Sequence, residues 1–495
     1  MSDSNRVRIA LFKDPTPTVA LSSQRMRVVR ATGEGMGYEP KVTNSKELRS
    51  DRMSSDPILV NVKHEGVPFK FELSFPPEGS AHSMAWESLL FNTWTNTPFR
   101  ENDGVADAVI TDIGTVANTV TFTTGPAFVI GHLVRLSGNA NAANNTIARV
   151  TTGGATSFVA TGGGFTAEAV PPGTSRLKVV GAEGVSADIA ATATGLTCTT
   201  LNFTAIGIVP GMWLKIGGTA AITKFATAAN NDWVRVVTVT ATAITLDNLP
   251  VGWGADVGTA KTIRLFFGDR LINGVNQILL GQERAFLDQA VPTYILQRGF
   301  SYNQVTLNSP DEDVINGSFS AIGQRGADGI AANGATYDAA PDSGVYPPFA
   351  GNVHLARISE AGAAVAAPNF VKTFGISVTN NVRANTGQGT IGAVAMGAGS
   401  IDVSLDFMTY FGDRTLLQKL FAQTPSSFFA RLQSALTGAS QHAFLIGLPR
   451  IFYTGGNPTA DAINTDVMLP LKASTSRDPV TNCEIDLQRV EYFEL

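Results

Sequence analysis

The stretch Gly387-Gln-Gly389-Thr-Ile-Gly392 fits the GxGxxG pattern of nucleotide-binding loops. Glycines at that spacing hold a pyrophosphate only where they close a strand and open a helix, whose first amides then face the phosphates. Here Ala-Val-Ala-Met-Gly-Ala-Gly-Ser follows, then an alternating strand from Ile401, so a glycine turn is expected. Asp311-Glu312-Asp313 offers three carboxylates without the alternate-residue spacing of a calcium loop. Adjacent side chains on a strand point apart, so a solvated turn is expected there as well. Cys198 and Cys483 are remote from each other, and His64, His82, His132, His354 and His442 are scattered without metal-ligand spacing. Trp213, Trp233 and Trp253 could stack on sugars, although large aromatics more often fill cores and interfaces. The chain carries no nucleophile elbow, zinc-protease motif or phosphate-binding loop. The sequence therefore predicts no catalytic, cofactor-binding or metal site, and no enzyme.

What positions these residues is β structure. The 495 residues exceed one ordinary core, so several domains are expected. Charged residues make up 16%, against about a quarter in typical domains, and 49 glycines help to fill the difference. That mixture suits turn-rich strands and disfavours helical bundles. A net charge of −5 argues against a basic nucleic-acid binder. No apolar run reaches the length of a membrane helix, and the first residues lack a signal pattern. No membrane anchor is expected, and the protein reads as one made in a reducing cytoplasm.

A tandem repeat occupies the middle of the chain. Gly131-His-Leu-Val-Arg-Leu-Ser-Gly138 recurs as Gly211-Met-Trp-Leu-Lys-Ile-Gly-Gly218, and Asn144-Asn-Thr-Ile-Ala-Arg-Val150 as Asn230-Asn-Asp-Trp-Val-Arg-Val236. Ala155–Phe158 then matches Ala241–Ile244, Arg176–Val179 matches Thr262–Leu265, and upstream Thr121–Thr123 is set against Asn202–Thr204. Residues 105–184 and 185–267 are read as two small all-β modules of short strands punctuated by Gly and Asn-Asn turns. With nine Lys/Arg against eight Asp/Glu between them, they hold no polyanion by bulk charge.

Outside the repeat, one strand-then-helix pattern appears twice. Phe69, Phe71, Leu73 and Phe75 alternate ahead of an apolar helical stripe at Ala85, Trp86, Leu89 and Leu90, with Ser80 or Ser83 as cap. Ile401, Val403, Leu405 and Phe407 alternate ahead of Leu416, Leu417, Leu420 and Phe421, with Asp413 as cap. This suggests that the non-inserted part is itself duplicated. Residues 1–30, basic and interrupted by Pro15 and Pro17, read as an extended arm, and 323–350 as a long loop.

The non-inserted residues resemble the major tail tube proteins of long-tailed siphophages, in their longer, duplicated form. Thr32-Gly-Glu34, Asn44-Ser-Lys-Glu-Leu-Arg-Ser-Asp-Arg52 and Phe71-Glu-Leu-Ser74 are similar to the family's N-terminal signature. Glu283–Asp288, Gln304–Leu307 and Gly317–Phe319 resemble its middle; Asn380–Arg383, Leu448-Pro-Arg450, Asn464–Met468 and Ile485–Arg489 resemble its end. The resemblance covers 20–104 and 268–495. It implies a mainly β fold: β-sandwich or barrel tube domains each flanked by a helix, with the two small all-β modules inserted. The expected order is an arm (1–30), a first tube domain (31–104 and 268–370) interrupted by the modules, and a second tube domain (371–495).

The resemblance also implies a structural virion protein, made in the host bacterial cytoplasm and located in the tail. Trimeric, pseudo-hexameric rings (or hexamers) would stack into a tube. The implied partners are further copies of the chain, the tail terminator, tape measure and tail-tip proteins, and phage DNA passing without specific binding. An acidic or neutral lumen would offer phosphates no partners. Glu47, Arg49, Asp51 and Arg52 form a candidate ring-stacking loop. The modules are expected to project outward, so that deleting 107–265 leaves assembly largely intact. The alternative is a virion adhesin that uses the modules to bind a receptor.

Overall fold

The computed structural model describes residues 6–21, 24–103, 109–161, 164–365, 367–434, 441–460 and 463–495; the expected boundary at 104/105 lies outside them. The fold is mainly β, with three α-helices among the described residues: Ala81–Leu90, Gly351–His354 and Thr415–Ala422. Nineteen of the described strands join one hydrogen-bonded network and thirteen join a second.

The alternating segments build the first network. Phe69, Phe71, Leu73 and Phe75 are buried in one core with Phe319, and Val403, Leu405 and Phe407 join the same cluster. Eight antiparallel strands lie side by side: Gly33–Met36, Ile58–Glu72, Asn316–Gly323, Thr293–Ser309, Val371–Thr379, Asp402–Tyr410, Met468–Thr475 and Gln441–Gly456. The long strands Thr293–Ser309 and Gln441–Gly456 change neighbours half-way, crossing into a second layer over the same core. There Thr293–Ser309 meets Leu280–Phe286, and Gln441–Gly456 meets Ser426–Gln433 and Asp486–Phe493. Val7–Lys13 lies against Leu280–Phe286 as Leu355–Glu360 lies against Ser426–Gln433.

Two expectations about this part are corrected. Residues 7–13 and 24–28 form no arm: Ile9, Ala10, Leu11 and Phe12 are buried, and Gln24–Val28 pairs with both Val7–Lys13 and Gly334–Asp338. Pro15 and Pro17 fall in the connection between the two strands, where no ladder hydrogen bond is lost. The segment 323–350 is no continuous loop either, since Arg325–Gly329 and Gly334–Asp338 are strands within it.

The helix Ala81–Leu90 starts at Ser80, whose hydroxyl accepts from the Ser83 N–H at 3.2 Å, and all ten of its residues are buried. At Thr415–Ala422 the Asp413 carboxylate accepts from the Thr415 N–H at 2.8 Å. There Leu416 is buried, while Phe421, expected in the apolar stripe, is exposed.

The second network contains the repeat, and its symmetry is visible in hydrogen bonds. Asn145 exchanges two of them with the backbone of Asn139 (2.9 and 3.1 Å), and Asn231 does the same with Phe225 (2.8 and 3.0 Å). A register shift between Val150 and Thr152 recurs between Val236 and Thr238. The two sets of six strands have the same internal order and meet where Arg176–Glu183 pairs antiparallel with Arg264–Phe266. A Cβ on Gly181 at that junction would lie 2.1 Å from the Leu265 carbonyl oxygen, so glycine permits the close approach. One upstream match is corrected: Gly195–Cys198, not Asn202–Thr204, occupies the position of Thr119–Phe122, since each pairs with the strand carrying Ile244 or Phe158.

The repeat does not stand free of the core. Leu133, Val180, Trp213, Trp233 and Phe266 pack against Phe429, Ala443, Leu445, Val490 and Phe493. Beside them the buried Asp269 carboxylate receives Lys178 Nζ (2.8 Å), Arg489 Nε (2.7 Å) and the Thr97 N–H (2.8 Å). Burial alone would raise the pKa of Asp269; the two cations override it and hold the group at about 2. Arg176 binds Glu491 and Glu78 in the same seam. The expectation that the modules are dispensable for assembly is therefore revised, because removing them would strip an apolar face and a buried ion network.

Candidate functional site

The eight-strand sheet has one face in the core and one face open. Alternation dictates the split: inward residues are aromatic or aliphatic, and the residues between them are short and polar. Reading across the strands, Gly33, Lys70, Ser318, Thr306, Ser377, Ser404, Ser474 and Phe452 are successive register partners in one row. Thr306 and Ser318 hydroxyls lie 2.9 Å apart within it. The adjoining row runs Glu72, Asn316, Asn308, Gly375, Asp406 and Lys472. With Asp402 the open face carries three carboxylates against Lys70, Lys472 and Arg450, whose guanidinium stacks on Phe452, on a background of hydroxyls and amides. Such a surface can be wetted by water and holds no cluster of cations for a polyanion.

The two ends of this sheet differ from its middle. In the middle, Gln304–Ser309 is flanked on one side by Asn316–Ser320 and on the other by Phe374–Thr379. At the outer ends, Gly33–Met36 pairs only with Ile58–Glu72, and Phe452–Gly456 pairs only with the strand Met468–Thr475, among the described residues. Each end leaves a backbone edge without a ladder partner.

Beyond Gly33–Met36 the chain extends into a hairpin in which Glu39–Thr43 pairs with Ile58–Lys63. All four sequence-predicted site residues sit on its tip. Arg49 Nη2 holds Asp51 Oδ2 at 2.7 Å, and the Met53 N–H donates to the same carboxylate at 3.1 Å. The Arg49 guanidinium, then the Met53 amide, lowers the Asp51 pKa, and Asp51 raises that of Arg49. Arg52 adopts a left-handed φ of 59°, and among the described residues neither Glu47 nor Arg52 makes an ion pair. The structure brings these four together on one exposed tip.

The other motifs have plain structural roles. Gly389 and Gly392, with φ of +79° and +92°, turn the chain between the strands Arg383–Asn385 and Ala395–Gly397. Asp311–Asp313 forms an exposed turn. Trp213 and Trp233 are buried in the seam between repeat and core, and Trp253 Nε1 donates to the Thr192 carbonyl at 2.8 Å. A receptor-binding reading of the modules that relied on these tryptophans loses its ligand-stacking surface. Among the described residues no group of His, Cys, Asp and Glu could hold a metal ion, and no helix is long and apolar enough to cross a membrane.

The free sheet edges were not among the sequence candidates, because a strand edge leaves no residue signature. The recurrence of strand-then-helix was the signal that could have exposed them. No curated protein matches this chain. The model of the family described as phage tail tube protein matches residues 178–475. That span is more than half of the sequence, and it runs through the second module as well as six of the eight strands of the open sheet. The chain belongs to the phage tail tube protein family, structural proteins of the virion tail that assemble into a polymeric tube.

Proposed function

We propose that three copies of this chain close a pseudo-hexameric ring whose inner wall is one continuous β-barrel, and that such rings stack into the tail tube of a siphovirus-type phage. The observation that carries this reading is the junction between Gln304–Ser309 and Phe374–Thr379. It joins two sets of four strands with matching neighbours: Gly33–Met36, Ile58–Glu72, Asn316–Gly323, Thr293–Ser309, and Val371–Thr379, Asp402–Tyr410, Met468–Thr475, Gln441–Gly456. Each set contains a strand-then-helix unit, which supports a duplicated tube domain. In the first domain the tandem modules occupy the connection after the helix. In the second, the corresponding connection between Ala422 and Ser426 is short. On their pairing with Leu280–Phe286 and Ser426–Gln433, we assign 7–13 and 24–28 to the first domain and 355–360 to the second.

The internal junction then predicts the external one. Gly33 and Ser377 hold equivalent places in the shared row, as do Phe452 and Thr306. Since Thr306 opposes Ser377 within the chain, Phe452 of one copy should oppose Gly33 of the next. This covers both free edges and leaves the ring with none.

Size favours three copies over six. At about 4.8 Å per strand, twenty-four strands make a wall about 37 Å across between backbones, and strand tilt widens it. Lined by Ser, Thr and Asn, such a bore admits duplex DNA; a six-copy ring would be twice as wide. The lumen would be hydroxyl-rich and close to neutral, so phage DNA passes without displacing its counterions. Glu47, Arg49, Asp51 and Arg52 are assigned to stacking between rings. The tube is completed by tail terminator, tape measure and tail-tip proteins, after synthesis in the host cytoplasm.

The test is a cysteine pair, Gly33→Cys with Phe452→Cys. A Cβ on Gly33 meets nothing closer than Lys70 Cδ at 3.8 Å, so the substitution is accommodated. Oxidation of assembled tubes should give a covalent ladder that ends at three chains. A ladder closing at six would replace the stoichiometry, and intact tubes with no cross-link would reject the junction.

A further inference from the structure

The end of the first helix is covered from within the chain. Its left-handed cap, Phe91, is buried against Val382, Ala393 and Met396, and Asn380 Nδ2 donates to the Leu89 carbonyl. These residues belong to the hairpin Arg383–Asn385/Ala395–Gly397 and its flanks, which leave the sheet between Val371–Thr379 and Asp402–Tyr410.

The helix Thr415–Ala422 ends in the same way, in left-handed Gln423, without such a cover. Phe421 on its last turn is 78% exposed. In the other tube domain the equivalent hairpin is Glu39–Thr43 with Ile58–Lys63, leaving between Gly33–Met36 and the remainder of Ile58–Glu72. Aligning Gly33 with Ser377 makes Tyr38 the counterpart of Val382. Aligning Lys70 with Ser404 makes Leu59 the counterpart of Ala393. Val382 and Ala393 are buried on the first helix, whereas Tyr38 is 58% and Leu59 43% exposed. The chain thus holds one filled helix–hairpin contact, one bare helix end and one bare hairpin.

We infer that the hairpin spanning residues 37–60 covers the helix Thr415–Ala422 of the adjacent copy in the ring, with Tyr38 and Leu59 seated on Phe421 and Gln423. This rests on the ring closure proposed above, because the same pseudo-symmetry that pairs Phe452 with Gly33 brings the hairpin of one copy over the helix of its neighbour. The contact removes several exposed apolar groups from water at once, and the bare surfaces are complementary only between copies. The tip bearing Arg49 and Arg52 extends past this contact and remains available to the next ring. The hairpin would therefore make a lateral contact at its base and an axial one at its tip.

Two measurements test this. Tyr38→Cys with Gln423→Cys should cross-link on oxidation into a ladder ending at three chains, as expected for the Gly33/Phe452 pair. If Gly33/Phe452 links and Tyr38/Gln423 does not, the hairpin contact is wrong and the ring stands; if neither links, the ring reading fails first. Separately, Phe421→Ser should lower tube yield at least ten-fold at fixed protein concentration, with the circular dichroism and melting of the unassembled chain unchanged. Wild-type tube yield from that folded variant overturns the inference.

Discussion

The two longer helices of this protein follow similar alternating strands, yet they meet opposite fates. Ala81–Leu90 is buried along its whole length, enclosed by the leader strand, the segment after the modules and the hairpin around Val382. Thr415–Ala422 buries Leu416 and leaves Phe421 in water. The difference shows that equivalent local sequences need not be equally finished inside one chain. A helix enclosed internally contributes to folding stability; in the ring proposed above, one left open contributes to association.

That contrast can be broken from the stable side first. Deleting 109–265 should abolish soluble folded protein, since Phe429, Leu445, Val490 and Phe493 lose their cover and Asp269 loses Lys178; recovery of tubes from the deletion would show that the seam is dispensable. Trp86→Ala should destabilise the core by about 3–5 kcal/mol in urea unfolding, as a fully buried aromatic does. On the other helix, Phe421→Ala should move the unassembled chain by no more than about 0.5 kcal/mol. Equal effects would erase the distinction between the helices.

Acid probes the seam more gently. Asp269 is held at about 2, below its ordinary unfolded value of about 3.9. Its contribution is therefore complete above pH 4 and is lost as pH falls from about 4 to about 2. Asp269→Asn should lower the urea midpoint at pH 7 and remove this part of the acid dependence; unchanged dependence would place the acid sensitivity elsewhere. A modest effect is expected at the cap, where Ser80→Ala should cost about 1 kcal/mol.

Much of this architecture was legible because its signals are local. Alternation at Phe69–Phe75 and the Ser80 cap need only a short window, and the Asn-Asn pairs mark the repeat because the second Asn of each bonds its own loop. The leader was misread because the partner of Ile9–Phe12 lies at Gly281–Arg284, far along the chain, and its prolines were the louder local feature. Gly334–Asp338 escaped notice because Gly-Ala-Thr-Tyr-Asp carries little strand preference and is held by pairing with Gln24–Arg27. The tip residues Glu47–Arg52 could be picked out as charged, but not the apolar base of their hairpin, whose exposure emerges only in three dimensions.

The strand Asp486–Phe493 sets a clock. It pairs with Asp269–Ile272, made more than two hundred residues earlier, and with Gln441–Gly447, while Val490 and Phe493 face the modules. None of these three surfaces can close until the ribosome has released residue 493, so their assembly must follow synthesis of everything up to that strand. A nascent chain that has not reached this strand consequently lacks the second layer over its core and the cover of its modules.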